Sequence, residues 1–135
     1  QIDLSPIKHA LDTWTFVVKE WEHILSIWNQ IVNEDGNHEE PSLIAIHRWA
    51  WNRKLAATPL KQVESQGISH ERRSYKNVIF GPTLWSSSTY EWWSFPGIRD
   101  ALRSKNWNAA QESVNAVGDI LQKTAIMFKE EDAAE

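Results

Sequence analysis

The N-terminal part of the chain is governed by one repeat of apolar side chains, spaced alternately by four and three residues. The members of the repeat are Ile7, Leu11, Trp14, Val18, Trp21, Leu25, Trp28 and Val32. This spacing places them on one side of an α-helix. Four more residues widen that side to the three apolar positions per heptad of a helix inside a bundle: Ala10, Val17, Ile24 and Ile31. We therefore predict a long amphipathic helix over residues 5–33. Its three Trp fill a bundle seam more readily than they form an aromatic binding face.

Capping and breaking residues mark where this helix begins and ends. Ser5 followed by Pro6 has the pattern of an N-cap and a first helical residue. Residues 35–37 are Asp-Gly-Asn, which is typical of a helix stop. The polar residues 36–41 then form a linker. A second helix is predicted over residues 42–57.

The middle of the chain is predicted to be less regular. Pro59 is expected to break the second helix and to begin a short separate helical turn over residues 59–66. Residues 77–80 are a short apolar run, predicted as a strand or an extended segment. Residues 81–94 are rich in Pro, Ser, Thr and aromatics, which indicates an ordered surface loop.

Helical patterns return at the C-terminal end. Pro96 is predicted to open a short helix, and Asn106 to cap a final long helix over residues 106–129. Trp107 begins the apolar face of that helix and is assigned to the bundle seam. The chain is thus predicted to be a single all-α domain over residues 1–135. It is a small bundle with two long amphipathic helices, shorter helices between them, and an ordered irregular loop at 81–94.

Size and composition exclude several classes of protein. At 135 residues, with 41% hydrophobic and 24% charged residues, the chain is long enough and apolar enough to fold around a core. Its net charge of −4 argues against nucleic-acid binding, and it has no apolar run long enough to cross a bilayer. There is no Cys to form a disulfide or a thiolate site. Because it begins at Gln1, we expect a C-terminal fragment of a larger protein.

Catalytic patterns are missing from the sequence. The five histidines form no His-Glu-x-x-His pair, the five glycines are isolated, and Gly-x-Ser-x-Gly is absent. His38 lies beside two glutamates in the polar linker, where a solvated loop is the simpler interpretation. Arg72 and Arg73 belong to a charged cluster that is expected to be solvated or to pair with carboxylates of a neighbouring domain. We therefore predict that this chain is not an enzyme and binds no cofactor or metal.

One stretch of sequence is specific enough to indicate a family. Residues 75–82 read Tyr-Lys-Asn-Val-Ile-Phe-Gly-Pro, and residues 94–102 read Ser-Phe-Pro-Gly-Ile-Arg-Asp-Ala-Leu, with a Ser/Thr/aromatic loop between them. This order resembles the C-terminal helical dimerisation domain of the transferrin receptor and glutamate carboxypeptidase II family. The Asn-x-x-Leu at residues 52–55 and the helix from Trp107 to Phe128 resemble the family's second and closing helices, so the resemblance covers almost the whole chain.

The resemblance implies a non-catalytic assembly domain. It implies a homodimer, contacts with the peptidase and apical domains of the parent chain, and zinc only in that parent. It implies neither nucleic-acid binding nor direct membrane insertion. Members of this family are ectodomains or luminal parts of single-pass proteins of the secretory, endosomal or vacuolar membranes. Some fungal members act as adaptors in the sorting of transporters, and the Trp-rich, Cys-free character resembles that branch.

Several residues depart from the family pattern. Peptidase members carry a Lys-Tyr pair in the loop, which receives the terminal glutamate of the substrate. Here Tyr90 matches the Tyr, but Thr89 stands in place of the Lys and cannot supply its positive charge. Trp92 and Trp93 replace small or acidic residues, and Asn77 replaces a His. The acidic-peptide pocket is therefore the weaker expectation.

Three functions remain open after this comparison. The first is an assembly domain, which we favour because nine Trp represent well over a thousand Å² of apolar area at roughly 150–250 Å² each. The second is a substrate-pocket lid in an active zinc carboxypeptidase, through Thr89 and Tyr90. The third is a free-standing bundle that binds an aromatic or lipid ligand. Under the first, the seam residues are Trp14, Trp21, Trp28 and Trp107. The candidate interface residues are Trp85, Trp92, Trp93, Phe95, Trp49 and Trp51.

Overall fold

Four α-helices and one pair of short strands are seen in the computed structural model, which describes residues 1–34, 39–69, 71–82 and 93–129. The helices are α1 (Ser5–Glu34), α2 (Ser42–Lys61), α3 (Pro96–Arg103) and α4 (Trp107–Met127). Strands β1 (Phe80–Gly81) and β2 (Trp93–Ser94) lie between α2 and α3 and pair antiparallel. The predicted class, a small all-α bundle with two long helices and shorter ones between them, is confirmed.

Helices α1 and α4 pack closely because the residues between them are small. Ala10 on α1 and Ala110 on α4 are completely buried. At Gly118 the helices approach so closely that an added Cβ would lie 2.7 Å from the backbone carbonyl carbon of Pro6. Any side chain at this position would therefore push the start of α1 away from α4.

Asp3 fixes the start of α1 against α4. Its backbone N–H donates to Oε1 of Gln111 at 2.7 Å, and Nε2 of Gln111 donates to its carbonyl at 3.0 Å. Its carboxylate accepts hydrogen bonds from the hydroxyl and the N–H of Ser5, which hold the pKa of Asp3 below its ordinary value. The capping oxygen predicted at Ser5 is thus supplied by Asp3, two residues earlier.

The core beneath α4 is filled by the segment between α2 and β1. Ile68, Val78 and Ile79 from this segment pack together with Val117 and Ile120 of α4. Backbone hydrogen bonds and one isolated bridge fold the segment back on itself, which satisfies its polar groups near the core. The run predicted as a strand or extended segment joins β1 only at its last residue.

Helix α2 continues through Pro59, so the predicted break at this residue and the separate helical turn over 59–66 are wrong. Pro59 lies in the last turn of the helix, where its missing N–H removes a single backbone hydrogen bond. The hydroxyl of Thr58 donates to the carbonyl of Lys54 at 3.0 Å. The N–H of Gln62 then donates to the carbonyl of Pro59 and ends the helix.

The boundaries of the other helices lie close to their predicted positions. Helix α1 ends at Glu34, directly before the predicted stop. Pro96 is the first residue of α3. Asn106 caps α4, with its side-chain oxygen accepting from the N–H of Ala109 at 3.1 Å.

Only one flank of the apolar side of α1 is buried. Ala10 and Val17 are buried, whereas Leu11, Val18 and Leu25 are exposed. The prediction that the whole stripe faces the bundle core is wrong for these three residues, because α4 meets α1 along the neighbouring flank. Two of the flanking apolar residues are exposed as well: Ile24 and Ile31.

The close approach at Gly118 makes a prediction that opposes ordinary helix propensity. An exposed helical Gly→Ala change stabilises a protein by about 0.5–1 kcal/mol. We expect Gly118→Ala instead to lower the free energy of unfolding by about 1–3 kcal/mol, because the new methyl group overlaps the backbone of Pro6. Urea unfolding followed by circular dichroism measures the change. The exposed Glu112→Ala on the same helix is the control, and a stabilised Gly118→Ala would contradict the packing.

Candidate interaction surfaces

Six rings form a continuous row across α1, α2 and the end of α4, which we call the aromatic row. In order, its members are His47, Trp28, Trp21, Trp51, Phe128 and Trp14. The closest contact is between Trp21 and Trp51, whose planes are 4° from parallel with centroids 3.6 Å apart. Trp21 also meets Trp28 edge to face at 5.2 Å, an arrangement that aromatic pairs favour.

The aromatic row attaches α2 to the two long helices. Beyond Ile44, α2 buries little of its surface, and its contacts with α1 run through Trp51 and His47. Each aromatic pair contributes about 0.5–1.5 kcal/mol beyond simple burial. At the other end of the row, the indole N–H of Trp14 donates to the carbonyl of Leu121 on α4 at 3.0 Å. Trp14, Trp21 and Trp28 therefore lie between α1 and its neighbours.

Trp107 lies outside the bundle seam, contrary to the sequence prediction. It is the first residue of α4 and is 60% exposed. Helix α1 runs parallel to α4, with Asp3 beside Gln111 and Trp14 beside Leu121. Trp107 thus precedes the start of α1 by about one and a half helical turns and lies beyond the part of α4 that α1 covers.

The side of α2 that faces away from α1 is apolar and basic. Its exposed apolar side chains, which we call the α2 outer face, are Leu43, Ile46, Trp49 and Leu60. Trp49 is 67% exposed, on the other side of the helix from Trp51, and its ring lies 5.6 Å from the guanidinium carbon of Arg53. The helix carries no Asp or Glu. Arg48 pairs instead with Glu40, just before the helix, and this hydrogen bond lowers the pKa of Glu40.

A second apolar surface runs along α1. It is formed by Leu4, directly before the helix, and by three helical residues that follow at intervals of seven: Leu11, Val18 and Leu25. We call this set the α1 outer stripe. Their exposed fractions are 49%, 52%, 47% and 38%. Four large aliphatic side chains aligned on one helix face in this way are typical of a protein contact surface.

A buried ion pair anchors the segment that precedes the Ser/Thr/aromatic loop. Nη1 of Arg72 lies 2.6 Å from Oδ2 of Asp100 on α3, with both side chains almost fully buried. Nη2 of Arg72 donates to the carbonyl of Pro82, and the guanidinium lies over the ring of Tyr75 at 4.4 Å. The expectation that Arg72 is solvated or pairs with a neighbouring domain is therefore wrong. No local pattern signalled a partner 28 residues away.

The other end of that loop is fixed by β2 and α3. The N–H of Phe95 donates to the carbonyl of Ile79 at 2.7 Å, and Nε of Arg99 donates to the carbonyl of Ser94 at 3.1 Å. Phe95 itself is half-buried and adopts a left-handed φ of 55°, which turns the chain from β2 into α3. Of the predicted loop residues, Trp93 contributes its backbone to β2. The others lie outside the described residues: Trp85, Thr89, Tyr90 and Trp92.

The described residues offer protein-contact surfaces but no metal centre. Among residues 1–34, 39–69, 71–82 and 93–129, no group of three or more His, Asp or Glu side chains is placed to hold a metal ion. Within the same ranges, no helix has both the length and the apolar character that crossing a bilayer requires. The chemistry these surfaces can support is burial of apolar area with a few charge pairs at the edges.

The buried ion pair gives a testable prediction with a matched control. Asp100→Asn keeps the shape but leaves the Arg72 charge buried without its counter-charge, so we expect the free energy of unfolding to fall by about 3–5 kcal/mol. Asp119→Asn removes the same charge from an exposed pair with Lys123, and should cost about 0.5 kcal/mol or less. Urea unfolding of both variants tests this. Equal effects would mean that the Arg72–Asp100 pair does not anchor the fold.

Comparison with known proteins places the chain in a family. Residues 2–129 match the transferrin receptor-like dimerisation domain. The chain is 34% identical over 97% of its length to a Saccharomyces cerevisiae protein named "Putative zinc metalloprotease TRE2", and 39% identical over 87% to "Uncharacterized protein TRE1" of the same yeast. It spans only 17% and 15% of those proteins. With the family matched over nearly all of its length, the chain belongs to the transferrin receptor-like dimerisation domain family.

Proposed function

We propose that this chain is the non-catalytic assembly domain of a longer transferrin-receptor-like, glutamate-carboxypeptidase-like protein, and that it brings two copies of that protein together. The observation that carries the proposal is the apolar area left exposed on α1 and α2 in a member of a dimerisation-domain family. Exposed apolar surface of this extent on long helices is typical of a protein–protein contact.

The rest of the longer protein would supply what this domain lacks. The name of TRE2 describes a zinc metalloprotease, and the chain corresponds to less than a fifth of that protein. We propose that any zinc and any peptidase chemistry belong to another domain, against which part of the exposed surface packs. The α2 outer face has Arg53 beside Trp49 and belongs to a helix without acidic residues, so it suits a partner surface that carries carboxylates.

The wider setting that we propose follows from the resemblance to the fungal branch of the family. The longer protein would be a single-pass membrane protein of the secretory, endosomal or vacuolar system, with this domain on the luminal side. A role as an adaptor in the sorting of transporters fits that setting. Its dimeric state would then present two cargo-binding sites at once, which raises the avidity for cargo.

Self-association of the 135-residue chain is the direct test. We expect sedimentation velocity to show a monomer at 15.7 kDa that converts to a species of twice that mass as the concentration rises. Apolar burial should make the dimer persist at high salt, since screening weakens only its charged contacts. A single monomeric species up to high micromolar concentration would contradict the assembly function.

A further inference from the structure

The α1 outer stripe has the geometry of a seam for one more helix. Its four residues, from Leu4 to Leu25, are spaced by seven, and a straight helix drifts by about 20° per heptad, or about 60° over the three heptads between them. The stripe therefore winds slowly around α1 over about 31 Å, at ~1.5 Å per residue, and a second helix follows it with a left-handed crossing. All four residues are exposed in the chain and are therefore accessible to a second helix.

The stripe is complementary to itself when two copies of α1 lie antiparallel. If two α1 helices lie antiparallel about a two-fold axis between residues 14 and 15, position i faces position 29 − i. Leu4 then lies opposite Leu25 of the second copy, and Leu11 lies opposite Val18. Each apolar residue of the stripe thus meets an apolar residue, as an isologous contact requires.

The charges beside the stripe are complementary under the same operation. Lys8 follows Leu4 by four residues and Glu22 follows Val18 by four, so both lie on the same flank, where they are exposed. In an antiparallel pair the same flanks face each other, and positions 8 and 22 sum to within one residue of 29. Each copy therefore sets a Lys8 ammonium against a Glu22 carboxylate, twice per dimer.

A second charge pair repeats the match further out on that flank. Asp12 and Lys19 each follow a stripe residue by one position, and both are exposed. They lie about 100° round the helix from the stripe, so under the same operation, with positions that sum to 31, they stand at the edge of the contact and attract each other more weakly. Flanking charges of this kind set the partner and the orientation of a helix pair.

The α2 outer face does not have this self-complementarity. Its helix carries Arg53, Lys54 and Lys61 with no acidic residue, and Arg48 is already paired with Glu40, so a two-fold pairing brings cations together without a carboxylate from the opposing helix. Of the two apolar surfaces, the charge pattern therefore favours the α1 outer stripe for contact with an identical chain.

We propose that a second copy of this chain docks antiparallel along the α1 outer stripe, about a two-fold axis near residues 14 and 15. The proposal rests on the proposed assembly function and assigns its interface. A strip about 31 Å by about 10 Å covers roughly 300 Å² per copy, less than the roughly 800 Å² per partner of a standard stable interface. The isolated chain therefore dimerises reversibly, and other parts of the longer protein add to the contact.

Charge reversal tests the flank pairs, with sedimentation as the readout and circular dichroism as the check on folding. Lys8→Glu sets two carboxylates against each other at both pairs of the dimer, and Glu22→Lys sets two ammonium groups against each other there. Each change should therefore weaken dimerisation about tenfold. A mixture of the two variants restores opposite charges in the mixed dimer and should dimerise as well as the unmodified chain. Arg53→Glu on α2 is the control and should leave dimerisation unchanged.

Disulfide trapping tests the register, because the chain has no Cys of its own. Leu11→Cys/Val18→Cys brings two pairs of thiols together across the axis and should give a covalent dimer on mild oxidation. Leu4→Cys/Leu11→Cys has two thiols on the same stripe, but neither faces a thiol in this register, so it should stay largely uncrosslinked.

The outcomes separate the interface from the function. If the unmodified chain never dimerises, the assembly function itself fails. If it dimerises but the mixture of reversed variants gains nothing, or the two cysteine variants crosslink alike, the assignment to the α1 outer stripe is overturned and the function stands. If charge reversal lowers the melting temperature of the longer protein and leaves its dimer intact, the stripe packs on another of its domains, which also overturns the proposal.

Discussion

The parallel packing of α1 on α4 is the contact on which the rest of the structure depends. Ala10, Ala110 and Gly118 let the two helices approach closely, and Asp3 fixes their register through Gln111. The helices differ in length, at 30 and 21 residues, so the second half of α1 continues beyond the end of α4. That unsupported half is what the remaining elements must cover.

The aromatic row covers the part of α1 that extends beyond the end of the shorter α4. Trp21 and Trp28 lie where α1 leaves α4 behind, and they pack on Trp51 and His47 of α2 instead. Flat rings suit a contact between helices that cannot interlock over a long distance, because one stacked pair contributes a large area. Because Trp51 and His47 face α1, the opposite side of α2 is exposed to solvent, and Trp49 lies on that side. The tryptophan surplus is therefore shared between the fold and its surface.

Periodicity and capping chemistry predicted the helices well because both are local. The starts of α3 and α4 follow from Pro96 and Asn106, and the amphipathic pattern gave the extent of α1. The predicted break at Pro59 is wrong because the free-energy cost of a proline in a helix depends on its position. Here the helix ends within one turn of Pro59.

Contacts between residues far apart in the chain were not predicted by local sequence patterns. An apolar stripe with three positions per heptad does not reveal which of its flanks meets α4, so the exposure of Leu11, Val18 and Leu25 emerged only from the structure. The pairing of Arg72 with Asp100 likewise depends on the fold that joins them. The candidate surface could be predicted in kind, as exposed apolar area in a dimerisation domain, but not in place. Its place follows from which flank of α1 meets α4 and which flank stays exposed.

A single distance measurement between two copies tests the central claim, that this domain assembles through antiparallel pairing of α1. Asn29, towards the C-terminal end of α1 and exposed, can be changed to Cys and spin-labelled without a competing thiol. Double electron–electron resonance on the dimer should then give a distance of about 45 Å between the two labels. This follows from ~1.5 Å of rise per residue along the helix and about 10 Å between the helix axes. A distance near ~10 Å, the spacing of two packed helix axes, would show parallel pairing and contradict the claim.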